Sequence, residues 1–338
     1  MGFGHDPDLR QSPDEPSSSP HPSTLDQNVR GGTYGVPMTP LQTTYRPRGP
    51  FDLRASVGCL QRGPRDPTQQ HAAGVIWRAT RTPEGIATLA LAQRADGSVR
   101  AAAWGPGRES ALAQAPALCG ALDDARGFDA SLHPIIAHAH HRSPGLRLAR
   151  TDLVFDAFAQ SVTEQKVTVT QAFSVWRRLV TWRGERAPGP TPVPMRAAPA
   201  PEVWRRIPSW EWHRAGLEPP QAKTLAAAGA HADAVERAAR SAGATDPLLA
   251  FPGVGVWTAA ETRLRALGDP DAVSIGDIHL AHHVGYALTG SRVDDDGMLE
   301  LLSPWSGQRQ RVIRLILTSG PREPRRAPRL HAQDHRSH

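Results

Sequence analysis

The segment FPGVGVWTAAETRLRALGDPDAVSIGDIHLAHHVG (251–285) decides how this chain reads. Phe251-Pro252-Gly253-Val254-Gly255 is a tight turn joining two helical segments, DPLLA (246–250) before it and VWTAAETRLRAL (256–267) after it. Gly253 and Gly255 carry no Cβ, so the backbone there can take positive φ and come close to a ligand. The helix that follows aims its free N-terminal N–H groups at the same spot, where an anion is favoured. A backbone phosphate suits that place, because such contacts position a duplex without reading its sequence. Five residues of this kind also describe an ordinary helix–helix turn, and the continuation is what discriminates. Trp257-Thr258-Ala259 follows directly, and 22 positions after Gly255 stands Asp277, in Asp-Ile-His. That spacing fits one helix, a return loop, and a carboxylate opening the next helix, IHLAHHVGYAL (278–288).

Outward from this segment, apolar residues recur at helical spacing in LVFDAFAQSV (153–162), TVTQAFSVWRRLVTW (168–182), AKTLAAAGAHADAVERAAR (222–240) and QRQRVIRLILTS (308–319). The spacing predicts an all-helical domain over 149–320, with RGERAPGPTPVPMRAAPAPE (183–202) as a surface loop, ordered or flexible. Earlier in the chain the period changes to two. FDLRASVGCL (51–60), AAGVIWRAT (72–80), GIATLALAQ (85–93) and ADGSVRAAAW (95–104) read as antiparallel strands, followed by a helix in GRESALAQAPALCGAL (107–122). The expected fold class is therefore α+β: a small antiparallel-sheet domain over 49–148, then the all-α domain. Residues 1–48 are rich in Pro, Ser, Gly and Asp and read as a disordered tail, as does the basic run 321–338.

The bulk composition narrows the partners only a little. There are 39 basic and 33 acidic residues in 338, a formal charge of +6, which is a mild bias toward nucleic acid. A preference for arginine codons accounts for the scarcity of lysine, since Lys166 and Lys223 are the only two. Cys59 and Cys119 are the only cysteines, which rules out a four-thiolate cluster within one chain and fits a reducing cytoplasm. No run of about 18 apolar residues offers a membrane span. The first residues lack the basic and apolar regions of a secretory signal.

With Phe251, Pro252, Gly253, Val254, Gly255, Thr258, Ala259 and Asp277 in place, the segment resembles the helix-hairpin-helix DNA glycosylase superfamily, specifically the DNA-3-methyladenine glycosylase II type. The resemblance extends back through FDAFAQSVTEQKVTVTQAF (155–173), similar to the family's early helix-loop-helix whose loop enters the duplex. PGLRLART (144–151) and the sheet before it look like that branch's N-terminal domain, so about 51–320 is covered.

The resemblance implies roles for individual residues. Cleavage of an N-glycosidic bond builds positive charge on the sugar, and Asp277 would stabilise it and orient water. An Asp at a helix start is also a common N-cap, and the two roles are compatible. Gly253, Val254, Gly255 and Thr258 would form the DNA-binding hairpin. Bifunctional members carry a Schiff-base Lys two positions past the second hairpin Gly; here that position is Trp257, which implies a monofunctional enzyme without lyase activity. Trp257, and Trp305 as a second aromatic, would line a pocket for a flipped, cationic alkylated purine such as 3-methyladenine or 7-methylguanine. The branch's pocket Tyr is replaced by Glu261, whose carboxylate would either pair with a cationic base or face solvent. Gln165 and Lys166 occupy the loop whose side chain fills the gap left by base flipping, and Lys166 suits a phosphate equally well. Core packing of the tryptophans and an exposed polar connection at 165–166 are the plain alternatives.

No metal is expected: His279 and His283 are four apart and His138, His140 and His141 cluster, yet no third ligand has fitting spacing. No other cofactor is implied, and a backbone-held monovalent cation at the hairpin lies beyond what side-chain spacing reports. Expected is a monomeric, cytoplasmic, nucleoid-associated enzyme of base excision repair acting on double-stranded DNA. Two other readings stand beside it: a non-catalytic helix-hairpin-helix DNA-binding module, and a glycosylase for another lesion, uracil or an oxidised purine.

Overall fold

The computed structural model describes residues 39–241 and 245–324. Five strands, β1 (Leu41–Tyr45), β2 (Gln69–Ala72), β3 (Val75–Thr82), β4 (Gly85–Gln93) and β5 (Val99–Trp104), form an antiparallel sheet in the order β1-β5-β4-β3-β2. Ala73 and Gly74 join β2 to β3 with φ of 49° and 74°, the doubly left-handed turn that matches strand twist. One face of the sheet, with Ala87, Leu89, Leu91, Ala101 and Ala103, packs on α1 (Leu53–Val57) and α2 (Arg108–Leu118). The opposite face, with Trp77, Ala90, Ala102 and Trp104, is covered by Ala187, Met195 and Ala197. These last belong to the Pro-rich connector, which is ordered: β6 (Glu185–Arg186) pairs with β7 (Arg196–Ala197), and Thr88 Oγ1 donates to the Pro188 carbonyl at 2.5 Å. Cover on both faces explains why GIATLALAQ is apolar almost throughout instead of alternating.

Three expectations are corrected. Leu41–Tyr45 falls inside the stretch assigned to a disordered tail over 1–48, yet it is an edge strand paired residue for residue with β5. Residues 1–38 of that tail, and 325–338 of the C-terminal one, lie outside the described residues. FDLRASVGCL is helical, because Asp52 Oδ1 caps the Ala55 N–H at 2.8 Å and Leu53, Val57 and Leu60 lie at helical spacing on the sheet. Helix α3 (Pro134–Arg142), assigned to the N-terminal domain over 49–148, buries Ile136 and Ala139 against the C-terminal helices.

The remainder of the described chain is helical. It comprises α4 (Val154–Thr163), α5 (Val169–Arg183), α6 (Pro201–Arg205), α7 (Ser209–Ala215), α8 (Pro219–Ala230), α9 (Ala232–Arg240), α10 (Val256–Leu267), α11 (Leu280–Thr289), α12 (Asp295–Leu302) and α13 (Arg309–Ser319). Helix α4 is the hub, with Phe155, Phe158, Ala159 and Val162 buried among α5, α8, α9 and α10. Beside it Trp176, Trp204 and Trp212 stack in series, with ring centroids 6.1 and 5.9 Å apart. A second helical core joins α3, α11, α12 and α13. Helix α10 belongs to the first core and α11 to the second, so the loop between them spans the two.

Candidate active site

Phe251-Pro252-Gly253-Val254 is a type II turn. The Val254 N–H donates to the Phe251 carbonyl at 3.1 Å, and Gly253 sits at φ +82°, where the third residue of such a turn must be. A Cβ on Gly253 would fall 2.2 Å from Thr224 Oγ1 on α8, so the turn is packed tightly against that helix. Gly255 differs: its φ of −105° is ordinary, and a Cβ there would meet nothing within 4 Å. Val254 is buried in the helical core while Gly255 and Val256 are exposed. No side chain caps α10 and its first turn holds no acid, so its N-terminal N–H groups face the open side of Gly255. An anion is favoured there.

The turn is braced from the neighbouring loop. Gln165 Nε2 donates to the Gly253 carbonyl at 2.9 Å and to Thr258 Oγ1 at 2.8 Å, and the Gln165 carbonyl accepts from Gln221 at 2.7 Å. Gln165, expected as a gap-filling side chain, is thus bound to the hairpin. Lys166, the exposed residue beside it at φ +54°, carries the loop tip. Thr258, expected at the DNA surface, is 2 % exposed and serves as the internal acceptor for Gln165. Within the turn the Phe251, Pro252 and Gly253 carbonyls accept from the Val254 N–H, the Thr224 hydroxyl and the Gln165 amide respectively.

Asp277 stands half-buried where the return loop meets α11. Its Oδ1 accepts the His279 and Leu280 N–H groups at 2.9 and 3.0 Å, so it caps that helix. Its Oδ2 lies 3.4 Å from the indole Nε1 of Trp257, in the first turn of α10. Asp277 and the glycine turn are therefore adjacent, with Trp257 as the link. Expected as a stacking surface, Trp257 also donates to the carboxylate. Ile278, next in sequence, is 77 % exposed. His279 and His283 meet edge to face at 6.3 Å, and burial lowers the pKa of both rings. Among the described residues no three His, Cys, Asp or Glu side chains gather as a metal site.

Two expected pocket residues are placed otherwise. Trp305 is 4 % exposed, packed with Ile136, Leu302 and Ile313, and donates to the Asp129 carbonyl at 2.7 Å. It is a core residue, because its indole N–H finds an internal partner and its ring fills the second helical core. Glu261 neither faces solvent nor offers free charge to a base. It pairs with Arg265 one turn along α10, and its Oε1 accepts the Ser274 hydroxyl at 2.5 Å. Arg265 in turn pairs with Glu164 at 2.6 Å, and Glu164 with Arg62 at 3.2 Å. Burial alone would raise the Glu164 pKa, yet Arg265 and Arg62 hold it below its ordinary value. The sequence signal missed here was the opposite charge at Glu261 and Arg265, four apart on one helix.

Solved structures bear out the expected α+β fold, an antiparallel sheet followed by the helices that carry the glycine turn and Asp277. The chain superposes on a 3-methyladenine DNA glycosylase from Archaeoglobus fulgidus with a TM-score of 0.70 and 16 % identity, covering 81 % of this chain and 97 % of that one. For the apo form of the Clostridium acetobutylicum 8-oxoguanine glycosylase/lyase the values are 0.64 and 12 %, with 83 % and 98 % covered. The same enzyme in complex with double-stranded DNA gives 0.62 and 13 %, with 82 % and 96 % covered. No family profile matches the chain, and no curated protein matches it by sequence.

Proposed function

We propose that this chain is a DNA glycosylase of base excision repair, monofunctional, acting on alkylated purines in double-stranded DNA. What carries the reading is Asp277, held at a helix start with one oxygen on two backbone N–H groups and the other on Trp257, beside the glycine turn. The open N-terminus of α10 would bind a phosphate of the damaged strand and set the register. The flipped nucleotide would then bring its C1′ to the carboxylate, whose charge stabilises the oxocarbenium-like sugar as the C1′–N bond breaks. The base leaves with the C1′–N electron pair, and water then adds at C1′ and gives up one proton to leave a hydroxyl on the sugar. Trp257 occupies the position where bifunctional relatives carry the Schiff-base Lys, which supports hydrolysis without a lyase step. The likeness to the 8-oxoguanine glycosylase/lyase supports a second reading, release of an oxidised purine at the same carboxylate.

Purified protein is incubated with duplexes carrying methylated purines, 8-oxoguanine or uracil, and released bases and strand nicks are measured for wild type and Asp277→Asn. Release of a methylated base by wild type alone, without nicking and with duplex binding retained in the variant, is expected. Equal release by Asp277→Asn, or no release from any lesion, refutes the proposal; the latter leaves a non-catalytic binding module.

A further inference from the structure

Glu261 is the departure from the family pattern, and both of its oxygens are spoken for. Oε2 pairs with Arg265, and Oε1 accepts the hydroxyl of Ser274, which is 3 % exposed. Ser274 is in the return loop, and its carbonyl accepts the N–H of Asp277 at 3.3 Å. The carboxylate on α10 thus reaches the backbone of Asp277 through one serine. From the other side Arg265 donates to Glu164 at 2.6 Å and to Ser161 Oγ at 3.1 Å, which fixes the arginine on the body of α4. Glu164 is followed in sequence by Gln165, the residue bound to the hairpin. Arg62, Glu164, Arg265 and Glu261 alternate in sign and sum to zero, so each buried charge has an opposite neighbour. Trp257 fixes Asp277 from its carboxylate; the Glu261–Ser274 pair fixes it from its main chain.

We infer that Glu261 is a positioning residue for Asp277, holding the return loop through the Ser274 hydroxyl and itself held rigid by Arg265. The inference rests on the glycosylase reading above for its consequence in the reaction. A charge fixed within a fraction of an ångström of the sugar is worth more than one that wanders, because loosening it misplaces the stabilising group. Glu261 does not touch the nucleotide in this role; it acts through the loop.

The test uses the full chain with three variants, Glu261→Ala, Glu261→Gln and Ser274→Ala. Two readouts are taken: single-turnover release from the lesion that wild type processes best, and amide hydrogen exchange across 274–280. Glu261→Ala and Ser274→Ala should slow release about tenfold or more, with duplex affinity unchanged and faster exchange at the Asp277 N–H. Glu261→Gln keeps an acceptor for the Ser274 hydroxyl and should recover most of the rate, a rescue that a merely stabilising role would not give. Wild-type rates in the alanine variants, a loss confined to affinity, or no recovery in Glu261→Gln would overturn the inference. The two claims fail separately. Absence of base release by wild type refutes the glycosylase reading, whereas unchanged exchange in Glu261→Ala and Ser274→Ala refutes the tether even in an active enzyme.

Discussion

Gly253 and Gly255 are two residues apart and should fail in different ways when replaced by alanine. At Gly253, φ of +82° costs an L-residue about 1–2 kcal/mol. The added Cβ would also lie 2.2 Å from Thr224 Oγ1, whose hydroxyl is within 3.1 and 3.2 Å of the Pro220 and Pro252 carbonyls. Moving that side chain away forfeits about 1 kcal/mol more. Gly253→Ala should therefore lose about 2–3 kcal/mol of stability, a fall in Tm of several degrees. Gly255→Ala meets open space at an ordinary φ, so only the poorer N-cap costs it, about 0.5–1 kcal/mol. Its methyl, however, stands where the phosphate would approach, and duplex affinity should fall about tenfold, or about 1.4 kcal/mol. Thermal unfolding and fluorescence anisotropy on a fluorescent duplex at one fixed salt concentration separate the two effects. Wild-type duplex affinity in Gly255→Ala would show that the open side of the turn does not hold the phosphate strand.

Two further outcomes follow from the geometry. Trp257→Phe keeps an aromatic ring but loses the indole N–H 3.4 Å from Asp277, and a hydrogen bond to a charged group at that length is worth about 1–1.5 kcal/mol. Single-turnover release should slow about tenfold with affinity retained; a Phe variant as fast as wild type would assign Trp257 to stacking alone. Asp156, on α4, has its pKa raised to about 6 by burial, against the opposing pull of Arg81 and Arg78. Its folded pKa lies above the unfolded value, so the native state holds the extra proton. Stability should then fall as pH rises from about 4 to about 6 and level off above, by at most about 3 kcal/mol. Asp156→Asn should flatten that slope in urea unfolding measured across the range, and an unchanged slope would place its origin in another group.

The hairpin was legible because its residues are dictated by the backbone. A type II turn requires Gly at its third position, Pro suits the second, and the spacing to Asp277 is the length of one helix and its return loop. Trp305 was not legible, since position in sequence does not distinguish an indole lining a pocket from one whose N–H meets an internal carbonyl. Glu261 was half legible. Arg265 is its neighbour on the same helix, but Glu164 lies 101 residues before Arg265, and Ser274 is reached only once the return loop folds back. Gln165 misled because an exposed polar loop and a hairpin brace have the same composition. LQTTY (41–45) reads as tail because it sits in a stretch rich in Pro, Ser, Gly and Asp with few aliphatics; as an edge strand, three of its five residues are exposed, so it needs no apolar run.

That short strand shields the molecule from itself. All five of its residues pair with β5, whose own sequence, VRAAAW, is almost wholly buried. Trimming the chain back to Phe51 would uncover a row of unpaired backbone groups along an alanine-rich border. Arg100, which donates to Gln42 across the pair, would be the one charge left on β5, while the threonines and glutamine of the polar rim would go with the lost strand. A shortened version would then be prone to stick to its own kind at the sheet, far in sequence from the residues that would handle DNA.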